Sequence, residues 1–197
     1  MIKRFLDIFG SMVALILFSP LLMIISIVVR WKIGSPVFFR QNRPGRNGEL
    51  FKFIKFRTML DLYAKDGSHL DDKHRITGLG QFLRKTSLDE LPSFVNVLMG
   101  DMSLVGPRPL LVEYLPLYDS RQLHRHDLKP GITGWAQING RNTISWRKKF
   151  ELDLWYIENQ SLKVDLKIII LTLLKVLAQE GINSQSNTTM SKFEGNK

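Results

Sequence analysis

From Met12 to Val29 the chain is almost continuously apolar, with Ser19-Pro20 at its middle. A run of about this length predicts a helix able to enter a bilayer. Proline lacks an amide hydrogen and clashes with the preceding turn, so a sharp bend is predicted there. The Ser19 hydroxyl is placed to take a carbonyl that Pro20 leaves free. Each arm has roughly ten residues, or roughly 15 Å at helical rise, enough for one leaflet and short of two. Lys3 and Arg4 precede the run, and Arg30 and Lys32 follow it. A straight span normally carries its basic excess on one side only, so both ends here read as cytoplasmic. Two architectures fit the residues: a re-entrant helix that dips in and returns, and a single kinked span.

Behind this run the periodicity changes. Ser35 to Met59 reads as a β-hairpin, with turn residues from Asn42 to Gly48 and alternation from Phe51 onward. Asp61 to Thr77 is polar and mixed in charge, a loop or short helix. Gly78 to Lys85 reads as helical. Ser87 to Met99 predicts a helix opened by a Ser87/Glu90 capping box, or by Asp89 as cap because Pro92 suits a first turn, and stopped by Gly100. Gly106-Pro107-Arg108-Pro109 is a rigid connector. Leu110 to Asp127 reads as helix with an internal Pro116, Pro130 to Arg141 as a glycine-rich loop, and Trp146 to Glu158 as helix. Leu162 to Gln179 is a second apolar helix. Its stripe of Lys163, Lys167, Lys175 and Gln179 suits a helix lying on a membrane, or a core-packing helix with solvated lysines. Three regions follow: a membrane segment over 1–32, a domain over 33–180, and a polar tail over 181–197 expected to be poorly ordered.

Charge narrows the partners. The net charge is +10, and Met1 to Leu60 holds ten basic residues against Asp7 and Glu49. A basic stretch beside an apolar run suits anionic headgroups. Nucleic acid would attract the same charge but gives the apolar run no role, so no nucleic-acid partner is expected. Without cysteines, disulfides, thiolate metal sites and cysteine nucleophiles are excluded. His124 and His126 lack an evident third ligand for zinc. The long apolar run with no small-x-small site reads as retained rather than cleaved.

Asp89-Glu90, after Arg84-Lys85 and at a helix start, is the first candidate for chemistry. Cations and the helix dipole favour an ionised carboxylate there. Such an aspartate can attack phosphorus, and its neighbour can hold Mg²⁺ for a diphosphate. First-turn acids are also ordinary capping chemistry. Arg108 between two prolines is a guanidinium held at low entropic cost, suited to phosphate, or simply part of a stiff connector. Gln137 and Arg141 sit in a glycine loop that matches neither the Walker nor the dinucleotide pattern. A basic membrane adaptor that binds anionic lipid would account for the charge but would leave Asp89, Glu90 and Arg108 idle.

Taken in order, the Ser19-Pro20 segment, Lys55-Phe56-Arg57-Thr58-Met59, Ser87 to Pro92, Gly100 to Pro109 and Pro130 to Arg141 resemble the monotopic phosphoglycosyl transferases, the bacterial sugar transferases. The short length is similar to the minimal PglC-type members of bacterial N-linked protein glycosylation. The resemblance implies an α/β, largely helical fold: a re-entrant helix broken at Ser19-Pro20, a small hairpin, and interfacial helices around a cytoplasmic catalytic core at the bacterial inner membrane. It implies transfer of a sugar-1-phosphate from a UDP-sugar to undecaprenyl phosphate with release of UMP, the expected donor being UDP-N,N'-diacetylbacillosamine. Asp89 is then the nucleophile and Glu90 a Mg²⁺ ligand. Arg108 belongs to the active site, and Lys55, Arg84, Gln137 and Arg141 are substrate-binding residues.

Overall fold

A computed structural model describes residues 1–64, 66–67, 70–140, 144–178 and 192–196. The chain is largely helical with two small sheets. Its first element, α1 (Ile2–Lys32), carries Pro20 inside it. The helix assignment is continuous through Ser19-Pro20. The carbonyl that loses its partner to Pro20 is that of Ile16, four residues earlier. Ser19 Oγ donates to that carbonyl at 2.8 Å.

The two arms of α1 rest on one body. In the first arm, Lys3 Nζ donates to Asp165 Oδ2 at 2.7 Å and to the Val105 carbonyl at 3.2 Å. Arg4 donates to the carbonyls of Val97 (2.6 Å) and Leu98 (3.0 Å). Asp7 Oδ1 accepts from Ser103 Oγ and the Leu104 amide, each at 3.0 Å. In the second arm, Ile25 and Val29 form a buried cluster with Ile33, Phe56 and Leu83. Between the arms, Ile16, Leu17, Met23 and Ile24 are exposed. Only 11% of the most apolar 18-residue stretch is buried, so α1 is not a core helix.

The hairpin forms where the turn residues placed it. β1 (Phe38–Pro44) pairs antiparallel with β2 (Leu50–Phe56), Phe38 opposite Phe56 and Pro44 opposite Leu50. Asn47 and Gly48 take positive φ (55° and 78°) in the reversal. After α2 (Asp72–Arg75) comes α3 (Gly78–Lys85), capped by Thr77. The expected single helix over Ser87–Met99 is two pieces: a 3-10 turn at Leu88–Ser93, then α4 (Phe94–Met99). Pro92 has no amide to continue an α-helical ladder. Asn96, fully buried, ties α4 to β2: its Nδ2 donates to the Lys52 carbonyl at 2.8 Å, and its Oδ1 accepts from the Ile54 amide at 3.0 Å.

Leu110 to Asp127 is also not one helix. A 3-10 turn at Val112–Leu117 ends past Pro116, and α5 (Ser120–Leu123) starts afresh with a capping box between Asp119 and Gln122. The glycine loop contributes a strand and a turn of helix. β3 (Ser103–Val105) pairs in parallel with β4 (Gly131–Thr133), and α6 (Trp135–Ile138) follows. The seam is tight: a Cβ on Gly106 would lie 2.3 Å from the Lys129 carbonyl oxygen and 2.8 Å from the Gly131 nitrogen. Gly106→Ala is therefore expected to destabilise the protein by about 3 kcal/mol, near the upper end for overpacking. Thermal unfolding in detergent measures this, and an unchanged midpoint would mean the seam yields.

α7 (Trp146–Glu158) and α8 (Leu162–Leu177) close the domain. α8 buries Asp165 and Ile168 and turns Leu162, Leu166, Ile170, Leu173 and Leu174 outward. An exposed leucine-isoleucine face favours the interfacial reading over the core-packing one. Most of the tail expected over 181–197 lies outside the described residues; of its described part, Lys192–Asn196, Phe193 is only 5% exposed, an aromatic ring buried despite the polar composition around it.

Candidate active site

Asp89 and Glu90 lie in the 3-10 turn that follows α3. The predicted capping box at Ser87 is absent. Ser87 is left-handed (φ 58°) and makes no side-chain cap. Asp89 does not cap either, being inside the turn. Glu90 instead turns to Arg108: Arg108 Nη1 donates to Glu90 Oε2 at 3.0 Å, and Nη2 donates to Oε1. This two-pronged pair is the geometry that planar guanidinium favours. Arg108 remains 43% accessible, so one edge of its charge still faces outward.

The Pro107-Arg108-Pro109 backbone is held from behind. Arg125 Nη2 donates to the Arg108 carbonyl at 2.7 Å and pairs with Asp153 at 2.9 Å. Arg43, on β1, donates to the Pro109 carbonyl and to Gln41 Oε1. The connector is thus stiff by its prolines and fixed by two arginines.

Asp89 is 4% exposed. No hydrogen-bond or ion-pair partner for its carboxylate is found among the described residues. Burial, then the neighbouring Glu90 charge, push its pKa up to about 6, against the pull of Lys55, Arg108 and Arg84. The cations expected to keep this carboxyl ionised do pull its pKa down, but desolvation outweighs them and the net shift is upward. At neutral pH it is still mostly ionised. Lys55, in β2, lies with Nζ 5.6 Å from the Phe39 ring centre, and burial lowers its pKa. Arg84 donates from Nε to Thr58 Oγ1 at 3.0 Å, which fixes the side chain by one nitrogen.

Five of the residues anticipated from sequence therefore form one electrostatic cluster: Lys55, Arg84, Asp89, Glu90 and Arg108. Gln137 does not touch it. Its carboxamide is buried in α6 and lacks a hydrogen-bond partner among the described residues. Arg141 lies outside the described residues.

Two further cations belong with this cluster. Arg43 is lowered to about 10 by burial and then by Arg108, and Lys149 on α7 is lowered to about 8 by the same two causes. Arg43 sits among hairpin turn residues and Lys149 in an unremarkable helix, so no spacing signal marks either one. Chemically, the cluster offers one uncommitted carboxylate next to several cations, suited to attack on an anionic, phosphorus-bearing substrate.

Comparison with known proteins gives the family. The family described as bacterial sugar transferase matches residues 1–179. The uncharacterized sugar transferase EpsL of Bacillus subtilis (strain 168) is 54% identical over 98% of this chain and 96% of its own length. The exopolysaccharide production protein ExoY of Rhizobium meliloti (strain 1021) is 39% identical, over 92% of this chain and 88% of its own. A UDP-glucose:undecaprenyl-phosphate glucose-1-phosphate transferase of Klebsiella pneumoniae is 46% identical over 88% of this chain. The chain spans only 39% of that relative. With nine-tenths of its length matched, the chain belongs to the bacterial sugar transferase family.

Proposed function

We propose that the protein transfers a sugar-1-phosphate from a UDP-sugar to undecaprenyl phosphate, through a covalent intermediate on Asp89. The observation that carries this reading is the buried, uncommitted Asp89 carboxylate beside the Arg108–Glu90 pair. A carboxylate oxygen of Asp89 attacks the phosphorus that bears the sugar. The bond from that phosphorus to UMP breaks, and UMP leaves with the electron pair. A phosphate oxygen of undecaprenyl phosphate then attacks the same phosphorus and expels the Asp89 carboxylate. Arg108, Arg84 and Lys55 stabilise the charge that moves between these oxygens.

Mg²⁺ fits the donor set as a cation that arrives with a diphosphate. Such an ion needs only one or two protein carboxylates, and no group of three His, Cys, Asp or Glu lies together among the described residues. Glu90 would hold it, as a carboxylate beside the uncommitted Asp89. When bound, the ion neutralises diphosphate charge and eases departure of UMP. UDP-N,N'-diacetylbacillosamine is the donor that the resemblance implies. The names of the relatives add UDP-glucose and UDP-N-acetylgalactosamine to the set to be tried.

The same reading places α1 in one leaflet, at the cytoplasmic face of the inner membrane. Its support is that both arms rest on one domain while the middle is exposed and apolar. Single cysteines at positions 3 and 32 are expected to react together with a membrane-impermeant maleimide only after cells are opened. Labelling of position 3 in intact cells would exclude the re-entrant arrangement.

The decisive experiment is UMP release by the purified protein with Mg²⁺ and the UDP-sugar panel, without undecaprenyl phosphate. A burst near one UMP per protein, with a phosphosugar mass adduct at Asp89, is expected. Turnover only when both substrates are present, with no adduct, would replace the covalent route with direct transfer.

A further inference from the structure

The family match stops at residue 179, yet Lys192–Asn196 return to the domain. The Phe193 ring sits among four others, with centroid distances of 5.8 Å to Tyr114, 5.9 Å to Tyr118, 5.6 Å to Trp146 and 5.1 Å to Phe150. Asn196 fastens the end: its Oδ1 accepts from Gln122 Nε2 at 2.6 Å, and its Nδ2 donates to Asp119 Oδ2 at 3.2 Å. Asp119 and Gln122 are the two residues of the α5 capping box.

These rings are one step from the reacting groups. The Arg125 guanidinium lies 5.8 Å from the ring centres of both Tyr118 and Phe150. Arg125 in turn holds the Arg108 carbonyl, and Arg108 holds Glu90. Arg125 and Asp153 are each 2% exposed, so their pair has little freedom of its own. A ring missing at position 193 would leave a void into which Tyr118 and Phe150 relax. The arginine packed on their faces would follow them.

We propose that Lys192–Asn196 is a strap that aligns the active site, with Phe193 as a positioning residue acting through Tyr118, Phe150 and Arg125 on Arg108. The proposal rests on the reading of Arg108 and Asp89 as the reacting centre. Alignment matters because a guanidinium placed for a developing charge loses its effect with small displacements. The strap thus gives a role in the reaction to a segment that lies beyond the residues the family model matches.

The test uses the full chain in detergent, as wild type, Phe193→Ala and Phe193→Tyr. Hydrogen exchange is read first because it needs no substrate. Phe193→Ala is expected to raise exchange of the backbone amides over 106–111 and 122–127, with α3 and α1 unchanged. UMP release is read next with the donor that the wild type accepts. The alanine variant is expected to lose about tenfold in kcat with KM for the UDP-sugar within twofold, and the tyrosine variant to recover the rate. Unchanged exchange over 106–111 would overturn the strap. Raised exchange with unchanged kcat would overturn its role in the reaction, as would failure of tyrosine to rescue a lost rate. If the wild type releases no UMP with any donor, the transferase reading has failed, and the exchange result still decides whether the strap holds Arg108.

Discussion

Asp89→Asn is expected to abolish the UMP burst and, above pH 6, to make the protein more stable. The first effect follows from the loss of the attacking oxygen's charge: an amide cannot displace UMP. The second follows from burial. The carboxyl of Asp89 titrates near 6 in the fold against 3.8 as a free aspartate. The folded state therefore binds this proton more tightly than the unfolded one. Stability from that preference is fully present below pH 3.8 and is lost as pH rises through about 6. A difference of roughly two pKa units corresponds to about 3 kcal/mol as an upper bound. Asparagine carries no charge to bury, so the gap in thermal midpoint between variant and wild type should open from pH 4 to pH 6 and persist above. A lower midpoint for Asp89→Asn at pH 7.5 would show that the site stabilises the ionised form. In the wild type, the burst rate should fall about tenfold per pH unit below 6, as the ionised fraction falls.

Arg108→Ala is expected to slow the burst by about 10²–10³-fold, the range seen when one preorganised donor to a developing charge is removed. Arg108→Lys should recover only part of that rate, because a point charge cannot grip both oxygens of Glu90. The alanine variant carries a second signature. Arg108 is one of the cations that hold the Asp89 pKa down against burial. Its loss should move the acid limb of the burst rate upward from pH 6. A slow burst with an unmoved limb would assign Arg108 to substrate alone. A normal burst would remove it from the reaction. Release of the variant from membranes is not expected, since no residue of α1 bonds to Arg108 among the described contacts.

Local features were legible in the sequence and non-local ones were not. Asn47-Gly48 specified the hairpin because its backbone needs positive φ, and periodicity specified α3, α7 and α8. The Ser19 hydroxyl found the carbonyl freed by Pro20 because both lie within one turn. Asp89, Glu90 and Arg108 stood out in the sequence as candidates, with their roles given only by the family resemblance; the structure brings the three together, and the capping box was not realised. Ser87 and Glu90 had the right spacing, but a charged pair with a residue 18 positions away outcompeted a local cap. The parallel pairing of Ser103 with Gly131 joins segments with no common periodicity. Arg43 and Lys149 became part of the site only when β1 and α7 met the Pro-Arg-Pro connector. Phe193 was hidden in a polar tail because composition averages away a single ring.

The anchoring of the first arm sets an order of events during synthesis. Lys3, Arg4 and Asp7 leave the ribosome well before their partners, which lie 93 to 162 positions later in the chain. At about 5–20 residues per second, these charges wait roughly 8–30 seconds for Asp165. Through that interval the exposed apolar middle of α1 has no domain to lean on. On the proposed membrane reading, lipid or a chaperone receives it before those partners exist, and the chain is expected to meet its surface first and fold its later part there.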